Sequence, residues 1–488
     1  MGLRTAKSAL LVCACLFAVP ASADSLREAL TSAYLDNPTL EAARAQLRAT
    51  DENVPIQRSA ALPSASASST YTEFVKQSTS SFISPDRSLG ANLDLGVPIY
   101  QGGAVRNGIL AAETRVGAGR ADLRGTESSL FTQVVATYMD VILNEALVGL
   151  TANNVEVLQV NLEATSDRFE IGDLTRTDVA QSESRLALAR SDLRTAQSNL
   201  INARERYIEL VGQAPGELEP PPPLPGLPAE VDGAVDIALE NNPNLIAARE
   251  RAVASGYDID VAGAGRLPRV EVFTGGGYTN YLGSLGTSPG STTGAQQVNT
   301  TAQAGLRLSL PLFQGGRVAA QQRQAQANSQ ATLEQVIATE RAVIQQVRAA
   351  YASWRAANAI IASNQSAVDA ASLSLEGVRA ENTVGNRTVL DILDAQQELL
   401  RAQVQLVTAR RNEYVAGFSL LAAMGRAEAR DLGLEDEGLL YDPTVNYDRV
   451  RTIIWDWQQD PDPVAQSPRT VDIAPQDAEI SAANDQPG

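Results

Sequence analysis

Two aspartates three residues apart, Asp391 and Asp394, stand in the stretch VGNRTVLDILDAQ, Val384 to Gln396. On a helix an i, i+3 pair shares one face, and these two flank Ile392 and Ala395, so both carboxylates can point to the same side. Such a pair attracts cations. It equally suits the start of a helix, where acids complement the helix dipole and face water; spacing alone leaves both readings open. Other chemistry is scarce. The chain has no histidine, the commonest general base and metal ligand, and its only cysteines are Cys13 and Cys15. This inventory removes most hydrolase triads and zinc sites, and no cofactor or metal is implied.

Residues 1–23 read as an export leader. Arg4 and Lys7 give a basic start, SALLVCACLFAV an apolar centre too short to span a bilayer, and Ala21, Ser22 and Ala23 a cleavage site of small residues. Both cysteines fall inside it. The formal charge of the whole chain is −18, and loss of the two leader cations with no acid makes it −20, which argues against nucleic acid as a partner. No later stretch reads as a membrane helix. An exported chain of this kind either stays soluble or enters a membrane as a β-barrel.

The elements that must position the aspartates come in two copies. YLDNPTLEAARAQLRA (Tyr34 to Ala49) is answered by LENNPNLIAARERAVA (Leu239 to Ala254), Pro38 matching Pro243. From Val97 onward the offset is a constant 213: Tyr138 with Tyr351, Gly172 with Gly385, Asp178 with Asp391, Gly212 with Gly425. Repeats decide architecture before single elements do. The division is therefore a first repeat over 24–214, a Pro-rich linker over 215–230, a second repeat over 231–427, and a C-terminal segment with a disordered tail over 428–488. No proline occurs from Ile99 to Ala214 or from Leu312 to Asp442. Each block reads as a long helical hairpin broken at Gly172 or Gly385, with a first arm of roughly 100 Å at 1.5 Å per residue. Along the second arm Val179, Ser182, Leu186, Ala189, Leu193 and Ala196 open a 3, 4 spacing that continues to Leu210 and recurs 213 residues later from Ile392 to Ala423. A sustained seven-residue period predicts left-handed coiled-coil packing.

Ahead of each hairpin lies a strand that ends in a Pro-x-aromatic-Gln-Gly-Gly turn: LDLGVPIYQGG at Leu93 and LRLSLPLFQGG at Leu306. Leu93, Leu95, Val97 and Ile99 share one face against Asn92, Asp94 and Gly96. Leu306, Leu308, Leu310 and Leu312 do so against Arg307 and Ser309. That alternation fits a wall with hydrocarbon on one side and water on the other. Ser64 to Phe74 and Arg269 to Tyr281 supply partner strands. Four strands cannot enclose a pore, and an unpaired backbone group in lipid costs several kcal/mol. Closure therefore calls for other copies; three give about twelve strands. A soluble periplasmic coiled-coil scaffold is the alternative. An enzyme has only carboxylate chemistry to draw on and lacks an α/β cleft pattern.

Taken together, the leader, the paired DNP and NNP openings, the twin QGG turns, the proline-free hairpins and GNRTVLDILDAQ resemble the TolC-like outer membrane factors over Ser25 to Arg426. The resemblance implies a mainly α protomer with a β-barrel portion, forming a homotrimeric channel-tunnel in outer-membrane lipid. Its helical tip docks on a periplasmic adaptor and an inner-membrane transporter, which supplies the energy. It also implies a periplasmic constriction of six carboxylates from Asp391 and Asp394. Polar links at Thr177, Asp178 and Arg387 keep it shut, with Asn382 where the family often has tyrosine.

Overall fold

The computed structural model describes residues 25–76, 84–286, 295–434, 438 and 440–480. The expected leader and both cysteines lie outside these residues, as does the end of the tail from 481 onward. Among the described residues ten α-helices and four strands follow in two passes: α1 (Leu26–Asp36), α2 (Pro38–Asp51), α3 (Asn53–Ser59), β1 (Ser64–Glu73), β2 (Arg87–Gln101), α4 (Ala104–Glu170) and α5 (Arg176–Val211). The second pass is α6 (Val231–Asn241), α7 (Pro243–Gly263), β3 (Arg269–Asn280), β4 (Val298–Ser309), α8 (Arg317–Thr383) and α9 (Val389–Ala423), followed by α10 (Pro443–Val450). Both α4 and α8 have 67 residues and start 213 positions apart, about 100 Å each.

The repeated motifs hold equivalent joints. In DNP, Asn37 caps α2 by accepting from the Thr39 N–H at 2.9 Å, while its amide donates to the Leu210 carbonyl at the end of α5 at 2.9 Å. In NNP, Asn242 caps α7 through the Asn244 N–H and donates to the Ala423 carbonyl at the end of α9, at 3.0 and 2.9 Å. Each buried asparagine thus satisfies orphan groups at two helix ends with one side chain. The QGG turns repeat a second joint. Gln101 Nε2 donates to the Ala60 carbonyl and Gln314 Nε2 to the Gly265 carbonyl, both at 2.9 Å. Gly102 and Gly315 turn the chain into the helix at φ 65° and 60°, a region that Cβ disfavours.

The sheet is antiparallel in the order β1-β2-β3-β4, so the two repeats meet at β2 and β3. Register places Ala67, Leu93, Gly276 and Ala302 in one row, and Tyr71 with Leu89 on the same face. Ser66, Asp94, Gly275 and Gln303 line the other face. One face is thus apolar with an aromatic end at Tyr71 and Tyr278, and the other is polar. On the polar face Arg307 lies 3.5 Å from Glu271 and 4.8 Å above the Phe273 ring. The outer edges of β1 and β4 have no partner strand among the described residues.

The second strand differs from expectation. It starts at Val298 and stops at Ser309, so Leu310 and Leu312 belong to the turn. Its partner β3 begins at Arg269, opposite Ser309, and Pro311 brings no N–H with which to extend the ladder. β2 goes further, to Gln101, through a register shift between Pro98 and Tyr100.

The main core lies where α1, α2 and α6 wrap the long helices. Phe131, Tyr138, Leu200, Leu245, Phe418 and Met424 are all fully buried there. The expected α5 seam is buried at Ser182, Leu186, Ala189, Ala196, Leu200, Ala203, Tyr207 and Leu210. On α9 the lower seam shifts: Leu393 and Leu400 are buried and Ile392 and Leu399 only half-buried, because Leu393 packs against Leu158 of α4 and Leu186 and Ala189 of α5.

Residues 428–434 close over the core, and of the stretch from Gln458 onward, whose composition suggests disorder, the described part to Ile480 lies along the outside of the hairpin. The tail is held mainly by hydrogen bonds, with Ala478 packed against the core. Arg204 donates to the carbonyls of Asp477 and Glu479 at 3.0 and 2.9 Å, and the Gln476 N–H donates to Glu205 at 3.0 Å.

Candidate functional site

The sequence-derived site residues all fall at the lower tip, where each hairpin turns. α4 ends at Glu170 and α5 starts at Arg176; Gly172 takes φ 82° between them. The second turn runs from Thr383 to Val389 through Gly385 at φ 83°. Both second arms open with a capping box. Thr175 and Asp178 exchange side-chain-to-backbone bonds at the start of α5, and Thr388 and Asp391 do so at the start of α9. Sequence dictates this: a threonine three residues before an acid satisfies two orphan N–H groups reciprocally.

Asp391 is therefore engaged within its own chain. Its carboxylate accepts from the Thr388 N–H and hydroxyl, both at 2.8 Å. These bonds, the backbone one foremost, hold the carboxyl below the usual aspartate range, with a lesser lowering from Arg387 at 3.8 Å. Asp178 is lowered in the same way, first by the Thr175 hydroxyl and then by its N–H. Carboxylates that accept such bonds favour the charged form. Asp391 is thus more acidic than an ordinary aspartate.

Asn382 and Arg387 meet inside the second turn. The Asn382 amide donates to the Arg387 carbonyl at 2.7 Å, and Arg387 Nε donates to Glu381 at 2.7 Å. That pairing raises the Arg387 pKa. Thr177 is exposed, and its hydroxyl has no partner among the described residues. The structure thus joins Asn382, Arg387 and Asp391 in one turn and leaves Thr177 and Asp178 on the other hairpin.

One link between the hairpins escaped sequence reasoning. Arg185 of α5 reaches Asp394 of α9 at 2.6 Å, both partly exposed. It is backed by the apolar contact of Leu393 with Leu186 and Ala189. A signal for it exists in the repeat register: Arg185 is equivalent to position 398, one helical turn beyond Asp394, within reach of an arginine. Identical register on two parallel arms places the charges at neighbouring heights, once α5 and α9 are known to touch. Among the described residues no cluster of three or more His, Cys, Asp or Glu could hold a metal ion.

Comparison with known proteins agrees with this architecture. The outer membrane efflux protein family matches residues 29–213 and 234–426, one span per repeat. The chain is 33% identical over 433 residues to the outer membrane efflux protein BepC of Brucella suis, covering 88% of this chain and 91% of that one. It is 27% identical to the outer membrane protein TolC of Escherichia coli, covering 85% of each. Among solved structures, the CmeC outer membrane channel of Campylobacter jejuni superposes with a TM-score of 0.72 at 16% identity, over 88% of this chain and 89% of that one. Both sequence relatives are named as outer membrane proteins, which sets aside the soluble scaffold. With its duplicated hairpins and two-faced sheet, the chain belongs to the outer membrane efflux protein family and is a protein of the outer membrane.

Proposed function

We propose that this chain is the passive exit duct of a tripartite efflux or type I secretion system, working as a homotrimer. The observation that carries the reading is the four-stranded sheet: apolar on one face, polar on the other, with both edges open. Open edges are untenable in lipid, and twelve strands from three copies close a barrel whose polar faces line a water-filled lumen. Relatives whose names speak of efflux and of alkaline protease secretion support both uses of such a duct. The helices continue the lumen through the periplasm to the tip, where a periplasmic adaptor and an inner-membrane transporter dock.

At the tip, Asp391 and Asp394 from three copies form the constriction and favour cations. The closed state rests on Thr177, Asp178, Asn382 and Arg387 at the turns, with the Arg185–Asp394 pair drawing α9 against α5. An exposed pair of this kind is worth about 0 to 1 kcal/mol, so a docking partner can release it. Single-channel recording in planar bilayers tests the assignment: Asp391→Ala with Asp394→Ala lowers cation selectivity and block by multivalent cations. Unchanged selectivity removes both residues from the constriction.

A further inference from the structure

Three arginines on α8 are left over once the fold is accounted for. Arg341, Arg348 and Arg355 recur every seven residues, so they share one stripe of a supercoiled helix. All three are exposed and have no ion pair or hydrogen bond among the described residues. The duplication shows what kind of face this is. Their equivalents on α4 are Ser128 and Val135, both buried, and Ile142, half-buried. In the first repeat the stripe is a packing seam; in the second it is bare and positively charged, in a chain of net charge −18.

The protomer's opposite flank carries the complement. Contacts run from α5 to α4, from α4 to α7 and α9, and from these to α8, so among the described residues α5 and α8 are the two ends of the row of long helices. The C-terminal tail is fastened on the α5 side. Arg204, whose side chain is 12% exposed, binds Glu145 of α4 at 2.8 Å and grips two tail carbonyls. Above it, Pro468 comes within 4.0 Å of a Cβ built on Gly212. Asp456, Asp462, Asp472 and Glu479 are exposed tail acids whose carboxylates have no partner among the described residues. Their height is right. Glu145 is equivalent to position 358, three residues past Arg355, so the described part of the tail, which reaches that level at Asp477 and Glu479, runs beside the arginine stripe. Lipid is the wrong occupant, since Arg341 lies 24 residues beyond the start of α8 at Arg317, about 36 Å below the sheet at 1.5 Å per residue.

We propose that the C-terminal tail is an intersubunit strap: docked on α5 of its own copy, it presents Asp462, Asp472 and Glu479 to Arg341, Arg348 and Arg355 on α8 of the next copy. This rests on the ring assembly proposed above. The strap replaces, by charge, the apolar seam that the first repeat builds inside one chain. Partly screened charge pairs of this sort are individually weak, and a network of them is what gives a measurable effect.

The test uses the full chain in detergent, comparing wild type with the triple variant Arg341→Gln, Arg348→Gln, Arg355→Gln, the tail variant Asp462→Asn, Asp472→Asn, Glu479→Gln, and their combination. These tail substitutions spare Asp477, which faces Arg204, and Asp460, which pairs with Arg449. Dissociation of the trimer on heating is followed by native mass spectrometry. Both single sets raise subunit dissociation roughly tenfold, the combination is no worse than either, and 0.5 M salt reproduces the effect in wild type. Additive losses overturn the strap, as does an arginine effect without a tail effect, which assigns the stripe to another acidic surface. Arg348→Cys with Asp472→Cys adds an independent arm: oxidation yields covalent dimers and trimers, and monomer alone refutes the contact. A monomeric wild type refutes the ring itself and is told apart from every strap outcome.

Discussion

The long arms α4 and α8 have the same length, the same glycine turns and the same register, yet twenty residues of α4 are buried and only six of α8. The difference lies in their neighbours. α4 is flanked by α5 on one side and by α7 and α9 on the other, whereas α8 touches α6, α7 and α9 and leaves its far side open. Helical stability in proteins comes mainly from packing one face. A helix of about 100 Å with so little buried is incomplete alone, and the asymmetry between two equal repeats falls on the side that the proposed ring of copies would cover.

The widest gap between the repeats should appear at Phe131 and its equivalent Ile344. Phe131 is fully buried, its ring 6.1 Å from Tyr34; Ile344 is half-buried. Truncating a fully buried phenylalanine costs about 3 to 5 kcal/mol, and a half-buried isoleucine about 1 to 2 kcal/mol. Thermal unfolding of Phe131→Ala and Ile344→Ala in detergent, followed by circular dichroism, should separate them clearly. Equal losses would mean that α8 is as well packed as α4 and would remove the asymmetry.

A second pair sharpens the comparison by pH. Glu127 on α4 is covered by the 428–434 segment and accepts the Ala429 N–H at 2.5 Å. Burial, with Glu428 adding repulsion, pushes its carboxyl up to about 7, although the Ala429 bond, Arg44 and Arg430 pull downward. Its equivalent, Glu340 on α8, is only half-buried and lies 3.9 Å from Arg249. A carboxyl raised in the folded state keeps a proton that the unfolded chain releases, so stability falls as pH climbs from about 4.5 to about 7 and is level above that. Glu127→Gln keeps the acceptor for Ala429 and removes the charge. It should stabilise by up to about 3 kcal/mol at pH 8 and by far less at pH 5. A flat profile for Glu127→Gln would show that solvent reaches the pocket.

How much of this was readable beforehand depends on whether a feature is local. The α5 seam from Ser182 to Leu210, the alternation through Leu93 and Leu95, and the hairpin turns at Gly172 and Gly385 follow from spacing within one segment. Those features were legible. The end of β4 was not, because it is set by where β3 starts as much as by Pro311. Nor was the exchange of Leu393 for Ile392 on α9, which depends on the contact with α5. The site divided along the same line. Asp391 as a helix cap is written in the Thr388 spacing, but Asp394 facing Arg185 depends on which helices the fold brings side by side. The tail was misjudged because composition measures the capacity to bury apolar surface, and Arg204 holds it through backbone carbonyls instead.

The smallest effects come where the repeats are most alike, at the capping boxes. Thr175 and Thr388 face Asp178 and Asp391 with hydroxyl–carboxylate distances of 2.7 and 2.8 Å, so Thr175→Ala and Thr388→Ala should each cost about 1 kcal/mol of helix stability and fray the adjacent turn equally in hydrogen exchange. Both aspartates are more acidic folded than unfolded. Their contribution is therefore full above the ordinary aspartate value near pH 4 and is lost as pH falls through the lowered one. At pH 7 the two alanine variants should exchange faster than wild type over the first turns of α5 and α9; at pH 3 the difference should shrink in both. If Thr388→Ala alone proves costly, the second turn is held by more than its cap, and Asn382 and Arg387, which bond only there, are the residues to which the excess belongs. Equal costs confine those two to shaping the turn, as the Arg168–Asp173 pair does in the first hairpin, and leave the Arg185–Asp394 pair, backed by Leu393, as the link that joins the two tips.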